Sequence, residues 1–241
     1  MKYAARSDIG KVRTINQDAV FAADKEGAGL FLVADGMGGH SHGEKASRLI
    51  VKKLTEWWEC FWPETYGGNF MQMMYSLKQM VQQANEEIYE NYNRENICGS
   101  TVALLFIYNG AYGVLSAGDS RIYVYHRWKI RQITTDEVWE KQPGIAPSEL
   151  QKNWKQRHGK LYNAAGIRRE MQCRVVTDEW KAGMVFLICS DGLYKYCRER
   201  FLKRCMKHVQ RGYHPQRMAE VLVNRVYEMG AEDNVSLILV Q

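Results

Sequence analysis

No stretch of about 18 apolar residues occurs in the 241-residue chain, so no segment reads as a membrane-spanning helix. The N-terminus, Met1-Lys2-Tyr3-Ala4-Ala5-Arg6-Ser7, lacks the apolar core of a secretory leader. The expectation from both absences is a soluble, cytoplasmic protein. Cys-x-x-Cys spacing is missing as well. Cys60, Cys98, Cys173, Cys189, Cys197 and Cys205 are scattered through apolar or helical contexts, which suits reduced, packed thiols better than bridges or zinc ligands. Concentrated charge is also lacking: 33 Lys and Arg stand against 27 Asp and Glu, a net charge of +6 spread along the chain, whereas nucleic-acid binding wants a basic face. The densest basic run, residues 198–211, carries Phe201, Cys205 and Val209 at helical spacing. It reads first as an amphipathic helix with a solvated face, and second as a surface for an acidic or phosphorylated partner. Neither a Cys-x5-Arg loop, a lysine-bearing P-loop nor a Gly-x-Ser-x-Gly elbow is expected, which sets three common catalytic designs aside.

What the chain does have is aspartate at the ends of apolar runs. Leu30-Phe31-Leu32-Val33-Ala34 reads as a strand covered on both faces, and it ends in Asp35-Gly36-Met37-Gly38-Gly39-His40. An ionised carboxylate at the edge of a core is costly unless it is paired or binds a cation, although Asp-Gly is also ordinary turn chemistry. The design recurs. Residues 185–189 lead into Ser190-Asp191-Gly192, Asp119 sits in a tight turn between two strand-like runs, Asp233-Asn234 precedes the run 235–240, and Asp18 precedes Ala19-Val20-Phe21. Five aspartates at strand ends exceed what turns require, and hard oxygen donors of this kind suit magnesium or manganese.

The order of these motifs resembles the metal-dependent serine/threonine protein phosphatases (the PPM, or type 2C, family), in particular their short bacterial-type members. The resemblance is carried by residues 7–18 with Arg13 and Asp18, by Ala34-Asp35-Gly36-Met37-Gly38-Gly39-His40, Gly99-Ser100-Thr101, Gly118-Asp119-Ser120-Arg121, Ser190-Asp191-Gly192 and Asp233-Asn234. Each is weak alone. Six in the family's order across the whole chain make a strong signal.

The expected organisation is one catalytic domain over residues 1–241, with no linker or sensor module. Strands are expected at 3–7, 19–23 and 30–34, with a turn over 24–29. Two amphipathic helices follow, one from about residue 43 to Pro63 and one over 69–93, where the methionines serve as packing filler. An antiparallel meander is expected over 101–108, 112–117, 121–126 and 128–132. Further strands are expected at 172–176, 184–190 and 235–240, with helices at 198–210 and 216–229. Two antiparallel sheets flanked by helices give an α+β, four-layer α-β-β-α sandwich, which the resemblance also implies. Residues 134–172 are polar and irregular, and the resemblance makes them a flap beside the site. Here the chain departs from the family pattern: Asp136-Glu137-Val138 replaces Asp-His-Ser, and Asn163-Ala164-Ala165-Gly166 replaces an Arg-Ala-Leu-Gly-like stretch.

The resemblance implies two core ions, Mn2+ or Mg2+. Asp35 bridges them, Asp191 and Asp233 complete one set, and the Gly36 carbonyl with a water-mediated Asp18 serves the other. Gly36 is expected because its backbone must approach an ion. Asp119 resembles the residue that, with Asp191, holds a third, weaker ion; its bland reading is a turn cap. Arg13 is the expected phosphate clamp, since a guanidinium donates two parallel hydrogen bonds and stays charged. His40 and His42 are candidate acids, although Met37 occupies the place where eukaryotic members carry theirs. The expected activity is hydrolysis of phosphoserine and phosphothreonine in proteins, by a monomer opposing a serine/threonine kinase or serving one regulatory protein. Arg13, Asp35 and Asp191 are its catalytic candidates. A pseudophosphatase that keeps the sandwich as a phosphoprotein-binding module would have lost ligands, and all five carboxylates are present.

Overall fold

The computed structural model describes residues 1–38, 42–92 and 97–241. The first strands are β1 (Tyr3–Asp8), β2 (Asp18–Lys25) and β3 (Ala28–Met37), followed by helices α1 (His42–Glu59) and α2 (Phe70–Tyr92). The short β4 (Gly99–Ser100) leads into β5 (Val102–Tyr108), β6 (Ala111–Ala117), β7 (Arg121–His126) and β8 (Lys129–Gln132). Helix α3 (Pro147–Arg157), β9 (Arg174–Glu179), β10 (Val185–Cys189), the single turn α4 (Asp191–Tyr194), α5 (Glu199–Gln210), α6 (Pro215–Glu228) and β11 (Val235–Val240) complete the chain.

The strands form two antiparallel sheets, one in the order β1-β11-β10-β7-β8 and the other β2-β3-β5-β6-β9, with β4 on β3. Three apolar layers hold them. Phe31, Val33, Leu105, Phe186, Ile188 and Ile238 fill the space between the sheets. The stripe of α1 and α2, from Leu49, Ile50 and Leu54 to Leu77 and Val81, covers Leu30, Leu32, Leu104 and Phe106. Leu202, Met206 and Val209 of α5 join Leu222 and Val226 of α6 over Leu187, Leu237 and Leu239. Truncating any of these to alanine costs about 2–5 kcal/mol. The four-layer sandwich expected from the sequence is therefore present, and Cys60, Cys173, Cys189, Cys197 and Cys205 are free thiols.

Four details differ from the expectation. The run 101–132 is not one meander: β6 pairs with β5 and β9, whereas β7 pairs with β10 and β8. The chain changes sheets at Gly118, whose φ of 94° lies in the left-handed region, and this crossing places Asp119 between the sheets' ends. The turn after β2 is only Glu26-Gly27, both with positive φ, a type I′ hairpin matched to strand twist. The expected strand at 172–176 lies at 174–179 and is exposed along its whole length, so it has no inward apolar alternation to betray it. Inside 134–172, α3 buries none of its residues, so no apolar stripe announced it. Among the described residues no helix is long and apolar enough to cross a membrane.

Candidate metal centre

Five strand ends deliver the five aspartates to one region. Asp18 and Asp35 are cross-strand partners in the β2–β3 register. Asp35 is fixed from both sides by Thr101: its N–H donates to Thr101 Oγ1 at 2.9 Å, and its carbonyl accepts from the Thr101 N–H at 2.9 Å. Asp18 is buried and accepts from Ser190 Oγ at 2.8 Å. Asp191 begins α4, where Lys195 pairs with it. Asp233 stands before β11 and meets Arg13, Nε to Oδ1 at 2.9 Å and Nη2 to Oδ2 at 3.0 Å. Asp119 accepts from the Tyr194 hydroxyl at 3.2 Å.

The groups share one field. Burial first, and then the charges of Asp18, Asp191, Asp119 and Asp233, push the Asp35 carboxyl well above the usual carboxylate range. Burial also pushes Asp18 up to about 6, against hydrogen bonds from Ser236 and Ser190, with Asp191 and Asp233 adding to the rise. Asp119 is likewise pushed up to about 6 by burial and then by Asp191, while Lys195 and Tyr194 work the other way. Like charges crowded at a core edge disfavour ionisation, and a cation among them reverses that cost.

As placed, no three His, Cys, Asp or Glu side chains among the described residues are close enough to enclose an ion. Each acid has a partner of its own: Arg13 pairs with Asp233, Lys195 pairs with Asp191, and Ser190 Oγ donates to Asp18. The donor chemistry nonetheless fits a hard divalent cation, since the donors are all oxygen and their mutual repulsion supplies the attraction. Each cationic partner sits on a flexible stem that a rotamer change would swing clear.

Gly36 has a reason besides the expected one. A Cβ there would lie 2.1 Å from the Gly43 carbonyl oxygen and 2.6 Å from that of Gln17, so glycine is required by the packing of β3 on the start of α1, whatever approaches its carbonyl. Arg13, the expected phosphate clamp, has its guanidinium paired with Asp233. His40 lies outside the described residues, with Gly39 and Ser41. His42 opens α1, and Met37 lines the cleft.

The cleft is a cavity of about 750 Å³ whose lining includes Asp35, Met37, Thr101, Asp119 and Asp191 on one side and Lys160, Leu161 and Ile167 on the other. Part of the 134–172 segment thus walls the site. Its two departures from the family pattern interlock: buried Glu137 accepts from the Gly118 N–H at 3.0 Å, from Asn163 Nδ2 and from Arg174 Nε at 2.8 Å. Ala165 exchanges two hydrogen bonds of 2.9 Å with Ser100, beside Thr101. Asp136 takes both Arg121 donors, Nε at 2.9 Å and Nη2 at 2.7 Å, and Arg121 lies 3.6 Å over the Tyr194 ring that serves Asp119. Thr101 and Ser190, which the sequence reading named in motifs but gave no role, and Tyr194 and Lys195, which it did not name, are supporting residues. Adjacency to the aspartates in the motifs was the signal available for Ser190, Tyr194 and Lys195.

Two catalytic spacings that were not expected do occur. Cys205 and Arg211 have Cys-x5-Arg spacing, but Cys205 is buried within α5 and no loop lies between them. Residues 39–43 read Gly-His-Ser-His-Gly, with His42 and Gly43 opening α1. Gly39, His40 and Ser41 lie outside the described residues.

The fold and the carboxylate cleft define a class: a two-sheet sandwich with aspartates gathered at the strand ends. The family model described as protein phosphatase 2C matches residues 10–226. The serine/threonine phosphatase PstP of Mycobacterium tuberculosis is 29% identical over 246 residues, covering 99% of this chain and 44% of that protein. The serine/threonine phosphatase stp of Listeria monocytogenes is 26% identical over 245 residues, covering 98% of this chain and 94% of its own. The solved catalytic domain of PstP in complex with two manganese ions superimposes with a TM-score of 0.77 at 28% identity, covering 99% of this chain and 96% of that one. This chain thus spans less than half of the Mycobacterium relative and nearly all of the Listeria one. It belongs to the protein phosphatase 2C family.

Proposed function

We propose that the protein hydrolyses phosphoserine and phosphothreonine in proteins with two divalent ions, manganese or magnesium, at the carboxylate cleft. The observation that carries this is the convergence of Asp18, Asp35, Asp119, Asp191 and Asp233 on one field strong enough to push Asp35 far from its ordinary range. Asp35 would bridge two ions, Asp191 and Asp233 would complete one ligand set, and the Gly36 carbonyl with Asp18 through water would complete the other. Asp119 would join Asp191 around a third, weaker ion. Ions held there supply a nucleophile from water at neutral pH and neutralise charge on the phosphoryl group. Arg13, released from Asp233, holds the phosphate by two parallel hydrogen bonds. Thr101 keeps Asp35 in place, and Leu161 and Ile167 narrow the cleft against bulk water. The same reading takes residues 1–241 as one catalytic domain with a flap over 134–172, acting as a cytoplasmic monomer on the targets of a serine/threonine kinase.

The test is turnover of a phosphothreonine peptide and of nitrophenyl phosphate with manganese, magnesium, calcium or excess chelator, beside calorimetric titration of manganese. Turnover with manganese or magnesium and none in chelator is expected, and zinc should substitute poorly because it prefers nitrogen and sulfur in a tetrahedral site. Full activity in chelator, or in folded Asp35→Asn or Asp191→Asn, would overturn the proposal.

A further inference from the structure

The outer helix layer carries a feature the chemistry does not use. Helix α5 turns Leu202, Cys205, Met206 and Val209 inward, and outward it shows Arg200, Arg204 and Lys207, followed by Arg211, at spacings of four, three and four. A cationic stripe on a helix is by itself an ordinary solvated face. Here Lys207 and Arg211 lie over the Trp128 ring, whereas Arg200 and Arg204 form one rim of a trough. A cavity of about 710 Å³ between α5 and α6 is lined by Phe201, Val221, Arg198, Arg200 and Arg225, among others. A second, of about 290 Å³, shares Phe201 and Val221 and continues past Arg204 and Arg217.

The floor is apolar: Phe201 is half-buried and Val221 is 37% exposed. The rims are cationic and largely unanswered. Arg225 pairs with Glu228, the acidic residue in the lining, at 3.0 Å, whereas Arg198, Arg200, Arg204 and Arg217 meet no carboxylate among the described residues. The inner end lies beside the cleft's chemistry, since Tyr196 lines both the larger cavity and a third, of about 560 Å³, that includes Arg13, Lys195 and Asp233. An apolar floor between cationic rims, four of whose arginines meet no carboxylate among the described residues, complements a chain that alternates acidic and apolar side chains. Single-stranded nucleic acid would instead want a succession of open aromatic faces, and a membrane an outward apolar row.

We propose that the trough between α5 and α6 seats an acidic segment, dotted with apolar residues, of the phosphoprotein substrate, which makes this segment the basis for choosing among phosphoproteins. The inference rests on the phosphatase reading. The twelve residues of α5 give the trough a length of about 18 Å, which suits roughly six extended residues.

Two phosphothreonine peptides of equal length test it, one with a tail alternating Glu and Leu and one with Gln in place of each Glu. With manganese, the acidic tail is expected to lower KM about tenfold and to leave kcat within roughly twofold. Arg204→Glu/Arg217→Glu and the milder Arg204→Gln/Arg217→Gln should erase that difference while hydrolysing nitrophenyl phosphate at the original rate. Equal KM values for the two peptides, or a preference surviving both variants, would overturn the proposal. Anisotropy of the fluorescein-labelled, phosphate-free acidic peptide in chelator reads the trough apart from catalysis: binding lost in the variants supports it even if neither phosphopeptide is turned over, an outcome that would defeat the phosphatase reading alone. Tighter binding of a single-stranded 12-nucleotide DNA or of phosphatidylserine vesicles than of the peptide, abolished by the same substitutions, would overturn it in favour of those partners.

Discussion

Arg13 and Asp233 hold each other by two parallel hydrogen bonds of 2.9 and 3.0 Å, so the proposed phosphate clamp and a proposed ion ligand occupy one another. An ion that takes Asp233 must release Arg13, and Arg13 is then free for phosphate. Arg13→Ala should therefore raise KM for a phosphopeptide by about tenfold or more, the loss of a charge-assisted pair of hydrogen bonds. It should also lower the manganese concentration at half-saturation by roughly two- to fivefold, since a partly exposed ion pair is worth at most about 1 kcal/mol. Kinetics across a manganese series and a calorimetric titration check both; weaker manganese binding in the variant would refute the competition.

Asp119 distinguishes a plain two-ion site from one with a third. Asp119→Ala should lower turnover strongly while a two-ion titration stays as it was. Were Asp119 only a turn residue, the change would cost about 1 kcal/mol of stability and leave turnover within a few-fold. Tyr194→Phe, which removes the hydroxyl donated to Asp119 and keeps the ring beneath Arg121, should fall between wild type and Asp119→Ala. Unchanged turnover across the whole manganese range in Asp119→Ala would dispose of the third ion.

The raised carboxyls set a pH dependence for the ion-free protein. Asp18 and Asp119 are pushed up to about 6, against an unfolded value near 3.9. Between these values the folded state binds more protons than the unfolded one, so stability falls as pH rises from about 4 to 6 and stays low above. Asp136 has the opposite sign. Burial works to raise it, but Arg121 and Lys141 hold it below the usual range, so its contribution is present above about 4 and lost in stronger acid. Melting in chelator should therefore peak between about pH 4 and 5, and manganese at pH 7.5 should recover much of the difference. A melting temperature that rises from pH 5 to 7.5 in chelator would contradict this, and Asp18→Asn with Asp119→Asn should flatten the slope.

Asn234 staples the segment bearing Arg13 to the start of β11. Its Oδ1 accepts from the Gln17 N–H at 2.9 Å, and its Nδ2 donates to the Ile9 and Ile15 carbonyls at 2.9 and 3.1 Å. Asn234→Ala should cost about 2–3 kcal/mol by denaturant titration and raise KM more than it lowers kcat. A loss below about 0.5 kcal/mol would show that the segment is held elsewhere.

The strand ends were legible because burial and chemistry coincide there: the runs before Asp35 and Asp191 are apolar throughout, and each stops at an acid. Helices α1, α2, α5 and α6 were legible from their stripes. What escaped has no such signature. Helix α3 and β9 lie on the surface without a buried face, and the change of sheet at Gly118 depends on which neighbour β7 finds, a long-range choice that local pattern does not encode. The pairs Arg13–Asp233 and Glu137–Arg174 join residues 220 and 37 positions apart, and charge content alone does not reveal them.

β11 lies between β1 and β10, and every residue of β1 is paired to it. During synthesis, then, β1 emerges long before the partner that will hold it, and β1 and β10 stay unjoined until β11 has followed them out of the ribosome. Asp233, just ahead of β11, arrives with that partner. The carboxylate set is therefore completed only with β11, through contacts of high sequence separation that form slowly, and a nascent chain lacking β11 has nothing to join β1 to β10.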